Sequence, residues 1–251
     1  MGTVLLITII RPVPFNVRLS MKKLAKILLV LMIALTLTSI PAQLKAEEPF
    51  TYHAVKKALP SIVDVKAIRK TSTTIGAGVI ADPSGIIIAN VHTVRGADSI
   101  NITLHNKDEI SARIIKLIPE NDIAILKIVP AGPLSPVKFA DPVIATRGTD
   151  VFTVGHSRFL NGVVIKGKVM GSISKTDAKT KKRLPGYFIK TRFDANAYKG
   201  DSGSPVFDKD GSFMGIIFAR SEDNSYDSLV IPADTIMRDY LEVKKPIKAK
   251  I

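Results

Sequence analysis

The sequence predicts an all-β protein, two antiparallel β-barrels or sandwiches followed by a short C-terminal helix. Short β-branched runs recur at close spacing over residues 61–231, and they fall into two halves around a Pro/Gly-containing stretch at 130–148. No heptad run, zinc spacing, phosphate loop or dinucleotide fingerprint competes with that pattern.

The elements follow in order. Residues 1–46 read as an N-terminal extension and signal peptide: Lys22, Lys23 and Lys26 precede an uncharged, largely apolar run of 14 residues, 27–40, and then Pro41. That run is short for a membrane span, which needs roughly 20 residues. Cleavage after Ala46 is expected, although Leu44 is not the small residue favoured at the −3 position. An uncleaved segment would serve as a membrane anchor. Met21-Lys-Lys is itself a signal-like start, so translation begins at either Met1 or Met21.

The N-terminal barrel is expected over 47–140 and the C-terminal barrel, helix and basic tail over 141–251. After a short helical stretch at 54–59, strands are expected at 61–67, 78–81 and 86–90, the last two separated by a Pro-Ser-Gly turn at 83–85. Ile100, Ile102 and Leu104 alternate with polar residues, as in a half-buried strand, and 123–128 is a further apolar run. Beyond the linker, strands are expected at 151–154, 162–172, 187–191, 205–207, 212–219 and 228–231. Pro232-Ala-Asp-Thr then opens a helix in which Ile236/Tyr240 and Met237/Leu241 are spaced i, i+4.

Composition excludes several function classes. The 251 residues are 46% hydrophobic and contain no Cys, which removes disulfides, thiolate metal sites and a Cys nucleophile. Of 36 Lys and Arg residues, six lie in residues 1–46 with no acid among them. The body therefore holds 30 bases against 22 acids, a net +8 out of the total +14. An exported chain without Cys fits a bacterial envelope, periplasmic or secreted, better than a disulfide-stapled secreted domain. The basic runs at 175–183 and 244–250 read as a solvated loop and tail, or as contacts to anionic membrane or cell-wall polymers. They lack the interleaved aromatics of a nucleic-acid surface, so no nucleic-acid partner is expected.

The chemistry concentrates in Gly200-Asp201-Ser202-Gly203-Ser204-Pro205. Glycines around a serine allow a tight turn that exposes the hydroxyl and frees local N–H groups to face an oxyanion. A serine needs a base to become a nucleophile, and the chain has four histidines: His53, His92, His105 and His156. His92 ends an apolar strand, and Asp122 stands thirty residues on, at the mouth of another, placed to orient an imidazole. The other three histidines read as surface or loop residues, and Asp194 as structural. The order His92, Asp122, Ser202 is that of the chymotrypsin-type triad.

These residues, with the segments 59–63, 76–80, 89–94, 121–128, 194–196 and 230–235, resemble HtrA/Deg-type trypsin-like serine proteases over nearly all of 55–241. The resemblance implies two six-stranded antiparallel β-barrels with the site between them, and a serine endopeptidase acting on unfolded or extended polypeptides without cofactor or metal. It implies that His92 is general base and acid, Asp122 its orienter and Ser202 the nucleophile. The N–H groups of Gly200 and Ser202 would form the oxyanion hole, with Asp201 shaping the turn. Asn196, Ile217, Phe218 and Ala219 would line the substrate pocket, which offers no carboxylate to a basic side chain and so favours a small or medium apolar one. Homo-oligomers occur in the family, and only Phe50 and Tyr52 precede residue 59 as aromatic contacts for one.

The chain departs from the family at Asp201, usually Asn, at Ser204, usually Gly, and at Arg192-Phe193, which resembles an insertion. No activation-cleavage motif precedes Leu59, so no zymogen switch is expected, and the 49 residues after Ser202 leave no room for a PDZ domain. The competing readings are a catalytically dormant protease-fold binding module and a membrane-associated adaptor.

Overall fold

The computed structural model describes residues 22, 25, 26, 52–141, 145–155, 162–176, 183–194, 201–221 and 224–244. The chain divides into two compact units, Met1–Pro49 and Phe50–Ile251. In the first, Lys22, Ala25 and Lys26 are helical and exposed, and the rest of the expected signal segment lies outside the described residues. Among the described residues, no helix is long and apolar enough to cross a membrane.

The second unit contains two closed barrels. The first comprises β1 (Ile62–Arg69), β2 (Ser72–Asp82), β3 (Ile86–Asn90), β4 (Ser99–Thr103), β5 (Glu109–Ile118) and β6 (Ile123–Lys127), in the order β1-β2-β3-β6-β5-β4. The second comprises β7 (Asp150–Val154), β8 (Val164–Thr176), β9 (Arg183–Phe193), β10 (Pro205–Asp208), β11 (Phe213–Arg220) and β12 (Asp227–Pro232). Its order, β10-β11-β12-β9-β8-β7, repeats the winding of the first, and every pairing is antiparallel. Closure pairs every strand on both sides and leaves no sheet edge exposed.

The hydrophobic pattern explains which strands sit at the junction of the barrels. Along β3, Ile87 and Ala89 point into the first barrel, while Ile88 joins a second cluster shared with the other barrel. Along β6, Ala124 and Leu126 face inward, and Ile123 and Ile125 face the shared cluster. Burial on both faces is why these strands read as continuous apolar runs rather than alternating ones. From the second barrel, Phe152, Phe207 and Phe213 fill the seam, with Phe152 stacked on Phe207 at 5.3 Å and Phe213 edge-on to Phe207 at 6.2 Å. Each is fully buried, which contributes roughly 1.5–3 kcal/mol per side chain.

The stretch expected as a linker is fastened to both barrels. The Val137 amide donates to Ile80 of β2, and the Ala140 amide to Phe213 of β11. The helix Tyr52–Ala58 buries Ala54 and Ala58 against the seam. The strand β5 escaped the sequence pattern because a β-bulge between Ile114 and Lys116 shifts the phase of its alternation, and only Ile118 is buried.

The C-terminal helix, Ala233–Lys244, crosses from β12 back onto the first barrel. Ile236 and Tyr240 are buried as their spacing predicts, but Leu241 is exposed, and Ala233, Thr235 and the acid Asp239 are buried as well. The Tyr240 hydroxyl donates to the Asp82 carboxylate at the end of β2, and Lys244 pairs with the same carboxylate at 2.8 Å. Lys244, expected in a solvated tail, is thus an anchor. Burial opposes ionisation of Asp82, but hydrogen bonds from Lys244, Ser84 and Tyr240 outweigh it and hold the carboxyl well below the usual carboxylate range. A depressed carboxylate pKa contributes stability above the unfolded-state value and loses it as pH falls. Asp82→Asn is therefore expected to cost about 1–3 kcal/mol at pH 7 in urea unfolding. The difference from wild type should shrink progressively below about pH 4, where the wild-type carboxyl begins to lose its advantage over the unfolded one.

Candidate active site

The helical turn Val91–Val94 directly follows β3 and presents His92, whose side chain is 44% exposed. Asp122 occupies the residue before β6, and its side chain is 15% exposed. Antiparallel pairing of β3 with β6, with Asn90 opposite Ile123, brings these two strand ends together. Asp122 then grips the turn at four points. Its carbonyl accepts from the Val91 amide at 3.1 Å and from Asn90 Nδ2 at 3.3 Å. Its carboxylate accepts from the His92 amide at 2.9 Å and from His92 Nδ1 at 2.6 Å. A carboxylate only accepts, so Nδ1 carries the proton and Nε2 of the neutral ring is left as an acceptor.

Asp122 has φ 54°, a left-handed conformation that costs a non-glycine residue roughly 1–2 kcal/mol. The preceding residue helps to hold it there. Asn121 donates from Nδ2 to Asp239 of the C-terminal helix at 2.6 Å, and its Oδ1 accepts from Lys175 of β8 at 2.6 Å. The loop carrying Asp122 is therefore tied to two elements outside the first barrel. Lys175, expected in a solvated charge run, is only 4% exposed, and its ammonium lies 5.0 Å from the Phe188 ring centroid. Burial pushes the Lys175 ammonium below its ordinary pKa, with Asp239 opposing that shift.

Ser202 lies in a turn packed onto β2. Its carbonyl accepts from the Ala77 amide at 2.9 Å, and the Gly203 amide donates to Ile217 of β11 at 2.8 Å. The serine thus stands where the barrels meet. A side chain at Gly76 would sit 3.0 Å from both the Ser202 carbonyl oxygen and Thr93, the neighbour of His92, which shows how closely the two segments approach. Gly203 has φ 84°, and a Cβ there would lie 2.0 Å from the Ala77 carbonyl oxygen, so no other residue fits this turn. Ser202 is half-buried and Asp201 buried. Ser204, the departure from glycine, is fully buried, and its hydroxyl has no partner among the described residues.

Of the expected pocket residues, Ile217 is buried and Ala219 half-buried, and a β-bulge against β12 falls between them, at Phe218. The bulge turns Phe218 toward the site, where it stacks on Phe188 at 5.0 Å and meets the His92 ring edge-on at 6.3 Å. Asn196, Gly200 and His156 lie outside the described residues. His53 and His105 are exposed on a helix and a loop, and Asp194 is exposed at the end of β9. Among the described residues, no group of three or more His, Cys, Asp or Glu side chains could hold a metal ion. Asn121, Lys175, Phe188 and Asp239 were not legible as site residues, because each acquires its place only through contacts between elements distant in sequence.

Two outcomes follow from this geometry. Gly203→Ala should destabilise the fold by at least about 1–3 kcal/mol in chemical unfolding, the ordinary cost of a strained backbone position. Asn121→Ala removes a partner from both Lys175 and Asp239, at a cost of about 1–3 kcal/mol. It should also broaden the proton NMR signal of the His92 Nδ1–H, which an intact Asp122 loop protects from exchange.

Residues 76–216 match the family model described as a trypsin-like peptidase domain. The chain is 27% identical over 213 residues to Protease Do-like 1, chloroplastic, of Arabidopsis thaliana, covering 79% of this chain and 48% of that protein. It is 33% identical over 168 residues to a probable periplasmic serine endoprotease, DegP-like, of Rickettsia conorii, covering 65% and 32% respectively. It thus spans about half of the first relative's length and about a third of the second's. A solved structure of the HtrA-type protease AlgW with tripeptide shares the fold, with a TM-score of 0.68 at 23% identity over 77% of this chain and 63% of that one. With paired six-stranded barrels and a family match that spans more than half of its residues, the chain belongs to the trypsin-like peptidase family, among relatives of the HtrA/DegP type.

Proposed function

We propose that the protein is an exported serine endopeptidase that cleaves unfolded or extended polypeptides. The observation that carries this reading is the two-point grip of the Asp122 carboxylate on His92, through Nδ1 at 2.6 Å and the backbone amide at 2.9 Å. It fixes the tautomer and orientation that a general base needs. His92 Nε2 takes the Ser202 proton as Oγ attacks the scissile carbonyl carbon. The resulting oxyanion is held by the N–H groups of Gly200 and Ser202, with Asp201 shaping the turn between them. The imidazolium, stabilised by Asp122, then protonates the leaving amine, and an acyl-enzyme remains on Ser202. Water, deprotonated by His92, attacks that ester and releases the acid.

Asn196, Ile217, Phe218 and Ala219 line the pocket for the residue before the scissile bond, which is small or medium and apolar. Export to a bacterial envelope is supported by the basic and apolar segment at 22–40 and by relatives named as periplasmic. Ser204, in the turn that carries Ser202, buries a hydroxyl without a hydrogen-bond partner among the described residues. This favours, as a second reading, a dormant protease-fold module that requires an activator.

Fluorophosphonate labelling of the purified protein, with an unfolded protein substrate in parallel, separates the two. The enzyme reading expects labelling that Ser202→Ala abolishes, and proteolysis reduced on the order of 10⁴-fold or more by Ser202→Ala, His92→Ala or Asp122→Asn. A folded wild type that neither labels nor cleaves would overturn the enzyme reading in favour of the dormant module.

A further inference from the structure

A cavity of about 550 Å³ opens beside the His92–Asp122 pair, and its rim is formed by Arg69, Ser72, Thr74 and Arg95. Every residue that lines it belongs to the first barrel. Phe218, by contrast, approaches the His92 ring from the second barrel.

Two cations, Arg69 and Arg95, line this cavity against one carboxylate, Asp122, and among the described residues neither arginine forms an ion pair. Arg69, the last residue of β1, is held rigidly. Its Nε and Nη2 donate to the Arg95 carbonyl at 3.1 and 2.7 Å, Nη2 also donates to the Thr93 carbonyl at 2.9 Å, and Nη1 donates to the Thr74 hydroxyl at 3.0 Å. Four of the five donors of a guanidinium are used, every acceptor is neutral, and one Nη1 hydrogen remains. The Arg95 side chain is exposed, and among the described residues neither arginine pairs with a carboxylate. The acid within the cavity, Asp122, gives its carboxylate to the His92 amide and Nδ1 rather than to either arginine, and the two guanidiniums outnumber it. The nearby Asp98 offers its amide to Ile68 and makes no ion pair among the described residues. A fixed positive charge in a concave site with unused donors is a carboxylate receptor.

We propose that this cavity is a substrate subsite for an acidic side chain, Asp or Glu, carried two or three residues beyond the scissile bond. The proposal rests on the endopeptidase reading above. In that reading the residue before the scissile bond sits against Ile217, Phe218 and Ala219 of β11, in the second barrel. The leaving half departs past His92, the residue that protonates its amine, and so passes over the first barrel where the arginines stand. An extended chain advances at most about 3.6 Å per residue, which brings the second or third residue past the bond over the cavity. Arg95, exposed, supplies a guanidinium able to bind a carboxylate in bidentate fashion, and Arg69 supplies one fixed N–H and a fixed charge.

The test uses peptides identical on the acyl side that carry Glu, Gln or Lys at the second or third position past the bond. The subsite expects Glu to exceed Gln in kcat/KM on the order of tenfold to a hundredfold, and Lys to fall below Gln. Added salt should compress the Glu-to-Gln ratio. Arg95→Gln should bring that ratio close to one, and Arg95→Glu should invert the order so that Lys leads. Arg95 is exposed, so these variants are expected to fold. Arg69→Gln is the second variant, checked for folding by circular dichroism because its guanidinium also braces the His92 turn. Equal rates for Glu and Gln peptides, with fluorophosphonate labelling intact, would overturn the subsite while leaving the endopeptidase reading standing. If no peptide is cleaved and Ser202 does not label, the endopeptidase reading fails instead. Fluorescence anisotropy of the same peptides on the Ser202→Ala protein then decides the subsite alone. Tighter binding of the Glu peptide, lost in Arg95→Gln, supports it, and equal binding overturns it.

Discussion

The seam between the two barrels is the constraint on which the rest of the structure depends. His92 and Asp122 come from one barrel and the turn of Ser202 from the other, so no single barrel holds the site. Phe152, Phe207 and Phe213 supply the apolar area that fixes the seam. Apolar contact is strong but not directional, and by itself it tolerates small slides. The hydrogen bonds that cross the seam remove that freedom: Ala77 to Ser202, Tyr240 and Lys244 to Asp82, and Asn121 to both Lys175 and Asp239. Most of these groups are at least partly buried, where an unmade bond is costly, so they favour a single register.

The same division of labour governs the candidate site at closer range. Strand pairing between β3 and β6 fixes where His92 and Asp122 stand to within a residue. The left-handed backbone of Asp122 then aims carbonyl and carboxylate together at the His92 turn. A conformation of that kind persists only where its surroundings over-determine it, and Asn121, with partners on two other elements, is the adjacent restraint.

Much of this was legible in the sequence because it is local or periodic. The apolar runs at β3 and β6, the glycines around Ser202 and the i, i+4 pair Ile236 and Tyr240 each state their environment directly. What escaped depends on contacts at long range. The strand β5 changes phase at a bulge against β6, between Ile114 and Lys116, and so lacks a single clean period. Lys175 belongs by composition to a basic run that should face water, but it is buried because Asn121 waits for it on the other barrel. Phe218 could be named as a pocket wall, but its contact with His92 arises from a bulge that no spacing rule encodes.

The C-terminal helix gives the fold a schedule as well as a shape. Asn121 and Asp239 are 118 residues apart, and Asp82 and Tyr240 are 158 apart. A chain that emerges from the ribosome N-terminus first has every strand of its first barrel, and both His92 and Asp122, long before the residues that brace them exist. Contacts of such separation carry a large loop-closure cost and form late. The loop that carries Asp122 thus receives its last restraint only when synthesis of the folded body is nearly complete. A nascent or truncated chain is therefore held short of the finished geometry.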